Sequence, residues 1–289
     1  MKPSRSEFYQ INGRQQHVRI WGQPDSPAMF FLHGWADVSA SWQFVVDALR
    51  QDWTVMALDW RGFGLSDRDG ESYWFPNYIA DLDCLLDTLS PHAPARLVAH
   101  SMGGNVASLY AGIRPDRVAG LVNLEGIGMP RQPADNAPER YGKWLEQSKS
   151  PQAFRAYASR EAFAQRLIKE NPRLSPTRAE FLALHLGELD STGGICLAAD
   201  PCHRWVNPTV YRVEEAMACW RKVTAPMLWI AGADSVLFSE FFAKAPEDYL
   251  ERLACFKRIQ EVKFNDCGHN VHHDQPELLA QHIEEFFKV

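Results

Sequence analysis

The string Ala99-His100-Ser101-Met102-Gly103-Gly104 sets a serine hydroxyl between the apolar run Leu97-Val98-Ala99 and a segment of helical period from Met102 to Ile113. A sharp strand-to-helix turn would lift that hydroxyl clear of the sheet. It brings the residues two before and two after the serine close together, so both must be small, as Ala99 and Gly103 are. The helix that follows aims its N-terminal amides and partial positive charge at the same spot, a favourable place for a developing anion. The backbone N–H of Met102 is one expected donor to that anion. Leu32-His33-Gly34-Trp35 closes another apolar run, and the N–H of Trp35 is the expected second donor.

A serine needs a base to become a nucleophile. Cys267-Gly268-His269-Asn270 follows the last apolar strand pattern, so His269 can fold over Ser101 as base and then acid. His272 and His273 lie next to it, but no cysteine or carboxylate arrangement in the sequence supports a metal cluster, and no metal is expected. His100 is expected to point away from the nucleophile, toward core or solvent. His17, His92, His185, His203 and His282 read as ordinary surface or packed residues.

The surrounding pattern supplies elements to hold these groups. Phe8–Ile11 and His17–Trp21 flank Asn12-Gly13, a hairpin signature. Met29–Leu32, Val55–Leu58, Leu97–Ala99 and Gly120–Leu124 are short and uniformly apolar, as strands covered on both faces are. Ile79, Leu82, Leu86 and Leu89 recur at helical spacing between them. This alternation predicts an α/β fold with a mostly parallel central sheet and helices on both faces. From about Met129 to Ala218 it gives way to proline-punctuated helical segments with no buried strand. Strands resume at Met227–Ile230 and Glu261–Phe264, and a closing helix carries Leu279, Ile283, Phe286 and Phe287, with Asp274 and Pro276 as its start signal. The expected organisation is a core split into 1–128 and 219–289 by a helical cap at 129–218.

The ordered set His33-Gly34, Asp59-x-Arg61-Gly62-x-Gly64-x-Ser66, Ser101 in its elbow and Gly268-His269 resembles the α/β-hydrolase superfamily over roughly 27–128 and 224–289. Ala99 departs from the glycine usual at its place. The 59–66 string reads as a structural turn that buttresses the site. The resemblance implies a triad in the chain order serine, acid, histidine, and two acids fit. Asp234 follows the strand after which most relatives carry theirs, but one residue early, with Ser235 in the usual place. Glu125 ends the run 120–124, resembling the acid position of one group of haloalkane dehalogenases. A carboxylate on so apolar a run needs a partner, because burying an unpaired charge is costly. Glu125 is preferred and Asp234 kept as the alternative. Those dehalogenases use an aspartate at the elbow. Ser101 points instead to acyl transfer through a serine ester.

The expected activity is hydrolysis of a carboxylic ester, or a related acyl bond, of a small and largely apolar substrate. Trp35 and Trp144 are candidate lining residues; most other aromatics of the cap segment should form its own core. Carbon–carbon bond hydrolysis, thioester hydrolysis, cofactor-free perhydrolysis and slow-turnover ligand reception use the same constellation in relatives and stay open. No cofactor is implied. A net charge of −6 disfavours nucleic-acid binding. The six cysteines form no CxxC pair, no export signal follows Met1-Lys2-Pro3, and no apolar stretch suits a membrane span. A cytoplasmic monomer or small homo-oligomer with free thiols and no membrane partner is the expectation.

Overall fold

The computed structural model describes residues 1–150 and 152–288. An eight-stranded sheet forms its centre, built from β1 (Ser4–Ile11), β2 (Arg14–Trp21), β3 (Ala28–Leu32), β4 (Thr54–Leu58), β5 (Ala95–His100), β6 (Val118–Leu124), β9 (Met227–Gly232) and β10 (Ile259–Phe264) in the order β1-β2-β4-β3-β5-β6-β9-β10. The hairpin β1–β2 turns at Asn12 (φ 49°) and Gly13 (φ 77°), the two positive angles that a two-residue turn needs to match strand twist. From β4 onward the strands run parallel.

The sheet is buried because its side chains alternate between two cores. Phe30, Leu32, Leu97 and Ala99 face α2 (Phe75–Leu89), α3 (Met102–Ile113) and α7 (Val213–Trp220). Met29, Phe31, Val55, Val98 and Val122 face α1 (Gln43–Ala48) and α10 (Pro276–Phe286). The apolar runs without alternation in the sequence are therefore strands apolar on both faces. The chain leaves β3 for β4 on one side and returns to β5 on the other. This reversal opens a crevice at the carboxyl ends of β3 and β5, where ligands of such sheets bind.

Between β6 and β9 lie α4 (Ala137–Lys149), α5 (Arg160–Glu170), α6 (Pro176–Leu186) and α7. This segment also holds a hairpin the sequence reading did not expect, β7 (Gly187–Leu189) with β8 (Ile195–Leu197). Three residues per strand leave no periodic signal. Phe163, Leu182, Leu186 and Ile195 make a third core with Val38, Ala40 and Phe44 of the main domain. The boundary expected at 218 falls inside α7, whose Val213, Met217 and Trp220 share the core of Leu109 and Tyr110 on α3. After α8 (Pro246–Leu253) and β10, the short α9 (Val271–Asp274) precedes α10. Asp274 is not the cap of α10, which starts after Gln275; its carboxylate accepts from Gly268 N–H (2.8 Å) and Asn171 Nδ2 (2.7 Å). Among the described residues no helix is long and apolar enough to cross a membrane.

Candidate active site

Ser101 stands between β5 and α3 at φ 49°, ψ −112°, backbone angles that a residue with a side chain adopts only under constraint. The constraint is visible at Gly103, where a Cβ would lie 2.5 Å from the carbonyl oxygen of Leu32 and 2.6 Å from that of His33. Glycine alone lets the first turn of α3 press against the end of β3. Gly34 answers from the other side, where a Cβ would meet His100 Nδ1 at 2.8 Å.

Ser101 Oγ lies 3.0 Å from His269 Nε2. Glu125 Oε2 lies 2.5 Å from His269 Nδ1. A carboxylate can only accept, so Nδ1 carries the proton and Nε2 keeps the lone pair that receives the Ser101 O–H. The Glu125 carboxylate is buried and also accepts from Gly232 N–H (2.7 Å) and Ser235 Oγ (2.5 Å). Glu125 itself has φ 59°, so the chain end of β6 bends sharply to aim this side chain. Asn123 fixes that bend: its Nδ2 donates to Gly126 O (2.9 Å) and Ser108 Oγ (2.8 Å), and its Oδ1 accepts from Gly126 N–H (2.8 Å).

Asp234, the other candidate acid, is placed differently. Its side chain is 53% exposed and pairs with Arg173 Nη2 at 2.6 Å. Arg173 reaches Asp266 as well (3.3 Å), and Arg178 donates to the carbonyl of His273 (3.2 Å), so the 171–178 segment grips the loop that carries His269 from both sides.

The backbone N–H groups of Trp35 and Met102 have no intramolecular acceptor among the described residues. The Trp35 N–H is aimed by a buried histidine. His33 Nδ1 donates to Gly34 O (2.7 Å) while its Nε2 accepts from Trp60 N–H (3.0 Å). In a planar trans peptide, N–H points opposite to C=O, so holding the Gly34 carbonyl toward His33 turns the Trp35 N–H the other way. Burial holds His33 below the usual histidine range, in keeping with this neutral tautomer. The Trp35 ring is 50% exposed and sits 6.4 Å from that of Phe154. Trp144 instead spends its indole N–H on Ser72 Oγ (2.8 Å), in the loop before α2.

His100 turns into the core, one of its two expected directions, and there meets the loop of His269. Its ring is buried beneath His269, 4.9 Å between centroids, and Nε2–H donates to the His269 carbonyl at 2.9 Å. Burial, and then the neighbouring His272 and His269, push its pKa well below the usual value. His272 is buried too, donating from Nε2 to Asp37 Oδ2 (3.1 Å). Burial alone would raise the Asp37 carboxyl, but the His272 hydrogen bond and charge hold it well below the carboxylate range. The Asp59 turn buttresses the site from β4: Asp59 accepts from His17 Nδ1 (2.7 Å), Ser39 N–H (2.5 Å) and Leu65 N–H (3.0 Å).

Ser235, Asn123, Asp37, His100 and His272 were not assigned to the site from sequence. Two had a visible signal: a serine where an acid is usual, and an amide inside the apolar run 120–124. The others meet only through the fold.

A family model described as the alpha/beta hydrolase fold matches residues 27–276. A "serine hydrolase-like protein" of Danio rerio is 28% identical, covering 100% of this chain and 90% of that one. A "cis-3-alkyl-4-alkyloxetan-2-one decarboxylase" of Shewanella oneidensis is 25% identical over 98% of this chain and 88% of its own. Among solved structures, a thioesterase domain from the curacin biosynthetic pathway superposes with a TM-score of 0.87 at 24% identity, covering 98% of this chain and 99% of that one.

Proposed function

The chain belongs to the α/β-hydrolase fold family, and from that premise we propose a serine hydrolase that cleaves a carboxylic ester, or a related acyl bond, of a small, largely apolar substrate through an acyl-enzyme. One observation carries this reading: the unbroken chain from Ser101 Oγ through His269 (3.0 Å) to the buried Glu125 carboxylate (2.5 Å).

His269 Nε2 takes the Ser101 proton as the oxygen attacks the carbonyl carbon. The charge that moves onto the carbonyl oxygen is met by the N–H groups of Trp35 and Met102. The imidazolium so formed is balanced by Glu125, whose charge is kept in place by Gly232 N–H and Ser235. His269 then returns the proton to the leaving group, and water repeats the sequence to release the acid. The half-exposed Trp35 beside Phe154 offers an apolar wall at the mouth.

The Shewanella protein is named for a dialkyl oxetanone, a four-membered cyclic ester, and the curacin domain is a thioesterase. Those substrates belong to those proteins; here they extend the panel. The test is labelling by a fluorophosphonate, followed by turnover of p-nitrophenyl esters of rising chain length, thioesters and β-lactones. Wild type should label and turn over, and Ser101→Ala should do neither. Labelling equal in Ser101→Ala, or one stoichiometric burst with no turnover on any substrate, overturns the proposal.

A further inference from the structure

Behind the catalytic histidine lies a second group of chemistry-bearing side chains that hydrolysis does not use. Asp37, His100 and His272, all buried, each offer one ligand atom, and the three atoms lie within 4.8 Å of one another. They come from three separate places: the loop after β3, the residue before Ser101, and α9. The sequence shows no cysteine or carboxylate arrangement beside His272 and His273 that would suggest a metal, and none is expected from it.

We propose that Asp37, His100 and His272 form a binding site for a divalent transition-metal ion of the Zn²⁺ type, and that filling it inhibits the enzyme. Three details support it. His100 is prepared as a ligand: its Nε2–H is spent on the His269 carbonyl (2.9 Å), and Nδ1 is left buried with no hydrogen-bond partner among the described residues. A histidine that binds metal through one nitrogen while donating the other N–H to a backbone carbonyl is the usual arrangement. A bare buried acceptor is otherwise costly. Secondly, the carboxylate is already fixed by outer hydrogen bonds, Oδ1 accepting from Val38 N–H (2.8 Å) and Oδ2 from Ser41 Oγ (2.9 Å). Thirdly, Asp37 Oδ2 and His272 Nε2 stand 3.1 Å apart, the spacing of two ligands on one ion. Zinc holds imidazole nitrogen and carboxylate oxygen at about 2.0–2.2 Å, which puts tetrahedral neighbours roughly 3.4 Å apart. Closing the set therefore asks for a movement on the order of 1 Å. His272 Nδ1 has no partner among the described residues, so the ring's one proton can shift there and free Nε2 for the metal. Two imidazoles and one carboxylate with a fourth place for water is a zinc donor set.

Inhibition follows from connection. His100 holds the His269 carbonyl, and Asp37 is two residues from Trp35, across Ala36 at φ 61°. An ion that draws the three donors inward pulls both the base and the Trp35 N–H away from Ser101.

The test uses the purified, chelator-stripped full chain. Equilibrium dialysis against Zn²⁺ at micromolar concentration, and the visible absorption of Co²⁺ in a tetrahedral site, measure binding without any substrate. Ester turnover with and without Zn²⁺, then EDTA, measures the consequence. Wild type should bind one equivalent, melt at a higher temperature with Zn²⁺, and lose at least tenfold in kcat, reversibly. His272→Gln and Asp37→Asn should each lose the bound equivalent and the inhibition. If His272→Gln does not fold, Asp37→Asn and the zinc-dependent melt still decide. No stoichiometric binding by wild type overturns the site. So does equal binding by both variants, or inhibition that persists in both, which would place the ion on Ser101 and His269 directly. Binding without any turnover would sink the proposed hydrolysis and leave the metal site standing.

Discussion

Replacing Glu125 by glutamine separates the two candidate acids. Gln has the shape of Glu and can keep Gly232 N–H bonded through its oxygen. Its amide N–H₂ then faces Ser235 Oγ and His269 Nδ1, where the carboxylate oxygen had accepted from both. Ser235 can rotate its hydroxyl to accept. His269 must move its proton from Nδ1 to Nε2, and a protonated Nε2 cannot take the proton of Ser101. The fold survives while the base is held in the wrong tautomer, and the buried negative charge opposite the imidazolium is gone. The corresponding change in a serine triad costs about 10⁴ in kcat, and ~10³–10⁴ here is about 4–5.5 kcal/mol of barrier. Asp234→Asn removes one exposed pair with Arg173, worth up to ~1 kcal/mol, so its effect should stay within about fivefold. The assay is pre-steady-state and steady-state hydrolysis of a p-nitrophenyl ester, with fluorophosphonate labelling as the measure of nucleophile reactivity. In the wild type the Nδ1 proton should give a far-downfield NMR resonance that Glu125→Gln abolishes and Asp234→Asn keeps. If Asp234→Asn loses 10³-fold and Glu125→Gln stays within tenfold, the geometric reasoning is wrong.

Ser235→Ala removes one of three donors to the Glu125 carboxylate, and kcat should fall about tenfold, ~1.4 kcal/mol, with KM little changed; an unchanged kcat would show that Ser235 does not steady the acid. Asn123→Leu strands the Gly126 N–H and C=O in the core and should cost about 2–5 kcal/mol in urea denaturation; a loss under 1 kcal/mol would show that this turn holds itself. Arg173→Ala cuts two exposed ion pairs, so kcat/KM should fall a few-fold at low salt and converge with wild type at about 1 M salt; a salt-independent gap would refute an electrostatic grip. Burial lowers the His203 and His273 pKa values to about 3. Against ~6.5 in the unfolded chain, the unfolded state binds protons that the folded state refuses as pH falls from about 6.5 toward 3. Stability should therefore drop by about 1.4 kcal/mol per pH unit for each ring within that window, and be flat in these groups above it. His203→Gln should lower the measured slope by about 1.4 kcal/mol per pH unit in denaturation series between pH 6 and 4; an unaltered slope would show that His203 titrates normally.

The legibility of this protein follows from where its information is local. The strands β3 to β6 can be read because burial on both faces leaves an uninterrupted apolar run, and the elbow because a turn at φ 49° must have small neighbours within two residues. The hairpin β7–β8 cannot be read, since three residues carry no period. The contact made by His100 cannot be read for a related reason: its partner, the His269 carbonyl, lies 169 residues away, and no local rule distinguishes a core ring turned under the site from one turned aside. The acid lies between these cases. Glu125 announces itself as a charge in an apolar run, and Asp234 as a carboxylate after a strand. What separates them in space is not written at either position. It is written at Ser235, which gives its hydroxyl to Glu125, and at Arg173, which takes up the Asp234 charge. A serine where a carboxylate is usual leaves room and a donor for a longer side chain arriving from the neighbouring strand β6. An arginine 61 residues upstream of Asp234 then makes that carboxylate a clamp on the loop that carries His269. The contrasting settings of the two candidate acids are thus a property of four residues taken together, and single-position reading approaches that contrast only by noticing which of the four breaks the expected pattern.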